Sequence, residues 1–189
     1  MKNFVTALGI AAIAGSLAAA AQDASPNLSL VEANAVLEQR IDAKAIKQGD
    51  VVHAKLTDKV RFTNGTELPR GTELIGHIDT VSDESGSTSL AWTFDKAQLK
   101  NGQNVPLKAT LLGVYRGGTT QGESSVTLAA TTTVDQVAGD LPFSLHSAVQ
   151  SSNSGTLTST HKDLKLSQGT QLQFAVAAQP NAGGSATGN

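Results

Sequence analysis

One pattern occurs three times in the chain and constrains its fold more than any other feature. Each copy has an apolar residue, two polar or turn-forming residues, Gly, then Asp or Thr, and then a run that alternates in polarity. The copies are "IKQGDVVHAKL" (residues 46–56), "LPRGTELIGHI" (68–78) and "LSQGTQLQFAV" (166–176). Because alternation with a period of two is typical of strands with one buried face, the pattern predicts three strands that each begin at a tight corner.

The aligned copies also predict which side chains enter the core. Positions seven, nine and eleven lie on one face of each predicted strand, because successive side chains of a strand point to opposite faces. The residues at these positions are apolar or glycine, so we expect all of them to face inward. They are Val52, Ala54, Leu56, Leu74, Gly76, Ile78, Leu172, Phe174 and Val176.

The corners themselves are explained by their residue types. Glycine reaches backbone angles that side chains disfavour, and an Asp or Thr after it can bond a neighbouring backbone group before the strand begins. Proline fixes φ where no ladder donor is needed. Three unevenly spaced copies are too few for a solenoid. We therefore predict structural roles for Gly49, Asp50, Pro69, Gly71, Thr72, Gly76, Gly169 and Thr170.

Two Asn-Gly pairs predict hairpins, since Asn-Gly favours the turn whose twist matches the flanking strands. They are Asn64-Gly65 and Asn101-Gly102, and the second predicts one long hairpin over residues 89–115. Beyond the N-terminal segment, only "SLVEANAVLEQR" and "DAKAIKQGD" are helix-like, and the first also fits a strand over 35–41. The predicted fold class is therefore all-β, a single mostly antiparallel barrel or sandwich.

The two ends of the chain predict its domain bounds and its cellular location. Residues 1–21 combine an early Lys, an apolar run and Ala19-Ala20-Ala21, which is typical of a cleaved secretory signal peptide. An uncleaved anchor is the alternative, but a spanning helix needs about 20 strongly apolar residues. Residues 22–30 form a polar lead-in, 31–178 the β-domain, and 179–189 a disordered tail. We expect a periplasmic or extracellular protein that is not an integral membrane protein after cleavage.

Residues 117–163 are rich in Ser, Thr and Gly and alternate in polarity only in "SVTLAATTTV" and "FSLHSAV". This composition predicts two or three strands joined by loops near residues 117–123 and 151–155.

Composition argues against several function classes. The chain has no Cys, hence no disulfide, thiol nucleophile or lipidated cysteine. Its formal charge is −2 and its cations are not clustered, so nucleic acid and anionic membrane are poor partners. The four histidines, His53, His77, His146 and His161, lack metal-ligand spacing. We predict no cofactor and no metal, and leave the oligomeric state open.

Acid-base chemistry has two candidate pairs, Asp50 with His53 and His77 with Asp79. On a strand, residues three apart point to opposite faces, while residues two apart share a face at a separation too large for a tight hydrogen bond.

Gly71-Thr72 opens a strand and so is not a phosphate loop. No Gly-x-Ser-x-Gly elbow is present, and we predict no catalytic residue.

Residues 45–115 and 164–177 resemble the C-terminal β-barrel domain of TrbI-like channel-scaffold proteins of type IV secretion and conjugation systems. They are also similar to stand-alone exported bacterial proteins that carry a Pro-x-Gly-Thr block. The resemblance implies the barrel more than the channel, because residues 117–160 show no apolar helical hairpin. The matching positions are Leu68, Pro69, Gly71, Thr72, Leu74 and Gly76, then Gly102, Val105 and Leu107, and finally Gly169, Thr170 and Leu172.

The leading functional hypothesis is an exported, non-enzymatic binding or assembly module whose partners are envelope proteins. One alternative is a secreted hydrolase of unfamiliar type, in which Asp50, His53, His77 and Asp79 would converge in a concave pocket. Another is a carbohydrate- or surface-binding module, although exposed aromatic platforms are scarce in a chain with one Trp and one Tyr.

Overall fold

A computed structural model describes residues 29–84, 86–117, 132–137, 142–160 and 163–179. The predicted signal peptide, most of the lead-in, all but the first residue of the predicted tail, and His161 lie outside the described residues. Within those ranges, no helix is both long and apolar enough to cross a bilayer.

The described residues form strands and no helix, so the all-β prediction is confirmed. The strands are β1 (Val31–Leu37), β2 (Ile41–Asp42), β3 (Val51–Leu56), β4 (Val60–Arg61), β5 (Glu67–Leu68), β6 (Glu73–Glu84), β7 (Ser87–Gln98), β8 (Asn104–Tyr115), β9 (Thr133–Val137), β10 (Ser144–Ala148), β11 (Gly155–Ser159), β12 (Lys165–Leu166) and β13 (Gln171–Ala178).

Six strands close into a barrel in the order β6-β3-β1-β13-β8-β7, and pairing of β6 with β7 completes the ring. A side layer of β11, β10 and β9 extends the sheet from β7. Two small sheets, β2 with β12 and β4 with β5, are not part of this sheet, but their buried side chains belong to the same core. Every pairing between these strands is antiparallel, as predicted.

The core fills the barrel with the residues that the repeated pattern selects. All nine predicted positions are buried, and eight of them, every one except Gly76, belong to one hydrophobic cluster. At its centre the rings of Trp92 and Phe94 meet edge to face with centroids 5.6 Å apart, and those of Phe94 and Phe174 at 5.1 Å. Period-two alternation therefore determines the inner face of these strands.

Both Asn-Gly hairpins are confirmed. Gly65 joins β4 to β5 with a φ of +85°, and Gly102 joins β7 to β8 with a φ of +82°. In each turn the Asn side chain accepts a hydrogen bond from the backbone N–H two residues ahead, at 3.0 Å. This side-chain bond is why Asn suits the position before the glycine.

The long hairpin over 89–115 is wrong in its extent. Strands β7 and β8 pair only where residues 96–98 face residues 104–106, and beyond this point Ser154 lies between them. Its N–H donates to Trp92 O at 2.9 Å, its C=O accepts from Leu111 N–H at 2.7 Å, and its Oγ accepts from Phe94 N–H at 2.8 Å. The side layer takes the place of β8 along the first half of β7.

The helix-like stretches fold otherwise. The first forms β1, which begins four residues before the predicted strand. The second contains one helical turn, closed by a bond of 2.9 Å from Ile46 N–H to Asp42 O, with Asp42 Oδ1 accepting from Lys44 N–H at 3.1 Å. The corner at Gly49, whose φ is +87°, ends that turn before a second can form.

The described residues of the stretch 117–163 form three strands, within the predicted two or three. Strand β10 lies inside "FSLHSAV", and β9 begins at Thr133 near the end of "SVTLAATTTV". The start of that second stretch is outside the described residues. Strand β11 was not assigned from the sequence, because "GTLTS" has only one large apolar side chain, Leu157.

Candidate functional site

The three corners share one backbone geometry. The N–H of the residue after each glycine donates to the C=O three residues earlier, at 3.1 Å in all three copies. Thr72 and Thr170 each add a bond of 2.7 Å from Oγ1 to that same carbonyl. Asp50 acts in the opposite direction, since its Oδ2 accepts from the Lys47 N–H at 2.8 Å. The side chain after the glycine thus closes the corner in each copy.

Each corner is also bonded to a neighbouring strand. The N–H groups of Gly49, Gly71 and Gly169 donate to the carbonyls of Ile78, Leu56 and Leu37, at 2.8, 2.9 and 2.8 Å. Those three residues donate back to the carbonyls of Asp50, Thr72 and Thr170, at 2.9, 2.9 and 2.8 Å. The corners tie the starts of β3, β6 and β13 to neighbouring strands, which is a structural role.

Asp50 and His53 do not meet as an acid-base pair. The Asp50 carboxylate accepts the Lys47 N–H in its corner, whereas His53 Nδ1 lies 2.5 Å from Glu73 Oε1 on strand β6. The hydrolase hypothesis gave Asp50 and His53 a joint role. Asp50 is instead bonded within its corner, so the two residues do not form a pair.

His77 and Asp79 lie on the same face, as expected, and approach more closely than a regular strand would place them. His77 Nε2 lies 3.1 Å from Asp79 Oδ1. The β6–β7 register shifts between Ile78 and Thr80, and such an irregularity re-aims side chains from their regular positions. Asp79 Oδ2 also accepts a hydrogen bond from Thr93 Oγ1 at 2.8 Å.

The order of this contact does not match a nucleophile triad. In a Ser-His-Asp triad the histidine stands between the hydroxyl and the carboxylate, because it must accept the hydroxyl proton. Here Asp79 lies between His77 and Thr93, and its carboxylate accepts the hydrogen bond of the Thr93 hydroxyl. Both His77 and Asp79 lie on the outer face of the barrel, partly exposed, rather than in the concave pocket that the hydrolase hypothesis requires.

The remaining described histidine, His146, lies on a different part of the fold. His146 Nδ1 lies 2.6 Å from Asp135 Oδ1, across β10 and β9 on the side layer. Within the described part of the chain, no three His, Cys, Asp or Glu side chains are grouped to hold a metal. Trp92, which a sugar-binding platform would need at the surface, is fully buried.

A polar network crosses the outer face of β1, β13 and β8. Tyr115 Oη donates to Gln173 Oε1 at 3.2 Å, and Gln173 Nε2 donates to Glu32 Oε1 at 2.7 Å. Burial raises the pKa of Tyr115, and the negative charge of Glu32 raises it further. The ring occupies the space above Gly113, where a Cβ atom would stand 2.4 Å from the Tyr115 Oη. The network ties three strands together.

An open groove of about 650 Å³ lies where β1 ends and β3 begins. Its volume is within the range of about 300–1,000 Å³ that is common for ligand sites. Val51, at its edge, is 50% exposed and is the one exposed large hydrophobic residue of the described ranges. Val51 faces His77 in the β3–β6 register. The groove is lined by Gln39, Arg40, Asp42, Ala45, Ile46, Asp50 and Val51.

The charged groups of the groove differ in how many hydrogen bonds and ion pairs they already make. Asp42 accepts the Lys44 N–H at 3.1 Å and has Lys165 Nζ at 4.0 Å. Arg40 is 66% exposed, and its closest carboxylate contact is Asp42 Oδ2 at 3.5 Å. Beside the groove, a hydrogen bond from Lys44 and the charge of Lys165 lower the pKa of Asp163. Arg40 therefore keeps the most unused hydrogen-bonding capacity.

The sequence did not reveal this groove. Gln39 and Arg40 interrupt the alternation after β1, and that interruption is the one local signal. The groove needs two segments, residues 39–46 and 50–51, that the corner at Gly49 brings together.

Compared with known proteins, the chain matches no family model and no curated protein.

Proposed function

We propose that this chain is an exported, non-enzymatic β-domain that binds other proteins of the cell envelope, as a docking or assembly module. The observation that carries the proposal is the groove beside Val51, where the exposed apolar side chain borders polar residues on an otherwise polar end of the barrel. Binding sites are typically concave and combine apolar side chains with a few polar groups.

Two further features support a binding role. The titratable residues that suggested hydrolysis serve as contacts within or between strands, as in the His53–Glu73 and His77–Asp79 pairs. The corner at Gly49 fixes one side of the groove, because Asp50 follows that glycine directly and Val51 begins β3. A groove held by a rigid frame loses little conformational entropy when a partner binds. The resemblance to the barrel of TrbI-like scaffolds agrees with an assembly role.

The proposal is tested by photo-crosslinking in the native envelope. A photoreactive benzoylphenylalanine replaces Val51, and the control places it at Thr63, an exposed residue of the first Asn-Gly hairpin. We expect discrete protein adducts at position 51 that are absent at position 63 and that disappear when Ile46→Asp is added. Equal labelling at both positions, or no protein adduct at position 51, would contradict a docking role for the groove.

A further inference from the structure

We infer that the groove receives an extended segment of a partner protein, which pairs with the backbone of Val51 and presents a carboxylate to Arg40. The inference rests on the proposed docking function and specifies the chemistry of the partner. It makes the groove a site of strand addition rather than a cavity for a small molecule.

The first step concerns the backbone of β3. Residues 35–37 of β1 pair with residues 54–56 of β3, and Glu38 N–H then donates to His53 C=O at 2.9 Å. Because alternate residues of a strand direct their backbone groups to the same side, the next carbonyl on this side belongs to Val51. Its donor is the side chain of Gln39, through Nε2 at 3.0 Å. The backbone ladder stops here, although the strand continues.

A side-chain donor at the end of a ladder is replaceable. Gln39 is partly exposed and has freely rotating side-chain bonds, so a backbone N–H of an incoming segment can take its place while the amide turns to water. The Val51 carbonyl remains bonded throughout, and the cost of leaving a buried acceptor unpaired does not arise. Backbone pairing of an extended segment with open strand backbone is a recurring mode of peptide recognition, and here it is confined to the Val51 end of β3, because β1 and β6 pair with the rest of that strand.

The second step concerns the side chains of the occupant. Ile46 packs against the core and lines the groove, and Val51 stands beside it with half its surface in water. An apolar side chain placed between them removes apolar area from water, at about 25 cal/mol per Å². The partner segment therefore carries an apolar residue at this position.

The third step concerns charge. Asp42 and Asp50 each accept a backbone N–H, from Lys44 and Lys47, whereas the Arg40 guanidinium is largely exposed and has one carboxylate oxygen at 3.5 Å. A guanidinium has five donors and binds carboxylates in pairs of hydrogen bonds. The group that complements Arg40, whose neighbours in the lining are the carboxylates of Asp42 and Asp50, is thus an Asp or Glu side chain near the apolar residue of the segment.

We assign the occupant to a different protein for a topological reason. Val31, at the start of β1, pairs with Val176 near the end of β13, so the outer ends of these strands lie together at one end of the barrel. The groove follows the other end of β1, next to the corner at Gly169. The described strand ends therefore lead away from the groove.

The test uses a phage-displayed library of random dodecapeptides as its probe. The library is selected on the full chain after depletion on Val51→Asp, and selected peptides are synthesised and measured by fluorescence anisotropy. We expect enriched peptides with a carboxylate near an apolar residue. Arg40→Glu should weaken them at least tenfold, and Arg70→Glu, an exposed cation at the second corner, should not. Gln39→Ala should strengthen them about threefold, because the competing donor is gone.

Backbone pairing has its own readout. N-methylation of the one peptide amide that donates to the Val51 carbonyl should weaken binding at least tenfold, and N-methylation of the other amides should have little effect. Binding that is insensitive to both Arg40→Glu and N-methylation, or no enrichment over the depleted pool, overturns the inference. If crosslinking at position 51 still yields a protein adduct in that case, the docking function stands and only this mode of binding fails. Arg40 is exposed, so circular dichroism should show its variant folded.

Discussion

At the scale of single residues, glycine serves two different purposes in this barrel. At Gly49, Gly71 and Gly169 the backbone has a positive φ, between +80° and +87°, and the sequence pattern indicated these corners directly. At Gly76 the requirement is space, since strand β7 passes against it. That second reason was invisible in the sequence, because it depends on a neighbour seventeen residues away.

We therefore expect Gly76→Ala to destabilise the protein by about 1–3 kcal/mol, the usual cost of overpacking. A Cβ atom there would stand 2.2 Å from Thr93 O and 2.9 Å from the Phe94 ring. The matched control is Gly65→Ala, which has a positive φ but nothing within 4 Å of the new Cβ, and should cost about 1 kcal/mol. Urea unfolding compares the two. An equal loss in both variants would show that β7 yields to the methyl group.

A second residue-scale prediction concerns Lys108, whose Nζ donates to the Ser151 carbonyl. Burial lowers its pKa below the ordinary 10.5. Between the lowered value and 10.5 the unfolded chain binds more protons at this site than the folded one, so stability gains a positive slope with pH. The unfolding free energy of the wild type relative to Lys108→Met should rise as pH rises toward about 10. A flat or falling difference would mean that the amine is fully hydrated.

At the scale of elements, the sequence predicted a strand wherever two independent signals coincide. Strands β3, β6 and β13 have both a glycine corner and period-two alternation. The side layer has weaker alternation and no such corner, and its contacts with the barrel are the β11–β7 pairing and bonds such as that of Ser154 with Phe94, sixty residues away. Local patterns do not encode a contact at that separation, and for the same reason the groove escaped prediction.

Ser154→Ala tests that link. The substitution removes the Oγ acceptor of the buried Phe94 N–H while leaving both backbone bonds of residue 154. An unpaired buried donor costs about 1–3 kcal/mol. Ser152→Ala, at an exposed position of the same loop, should stay within about 0.5 kcal/mol of the wild type. Thermal and urea unfolding measure both, and equal stability of the two variants would show that water replaces the Ser154 hydroxyl.

At the scale of the whole molecule, barrel closure gives every ring strand two neighbours, whereas β9 pairs only with β10 among the described strands. Elements with fewer neighbours open with smaller free energies. In native-state hydrogen exchange, we expect the amides of β9 and β10 to exchange before those of β3 and β13. Mass spectrometry of peptides from these strands follows the difference, and simultaneous exchange of all four would make the side layer one cooperative unit with the barrel.

The position of the groove also has a practical consequence for how the protein is attached to anything else. Because Val31 and Val176 are paired, a linker joined before β1 and one joined after β13 would leave from the same end of the barrel. The groove stands beyond the opposite end of β1, and seven strand residues at about 3.3 Å each separate the two ends by roughly 20 Å. A molecule immobilised through either linker would therefore present Val51 and Arg40 outward, away from the surface that carries it.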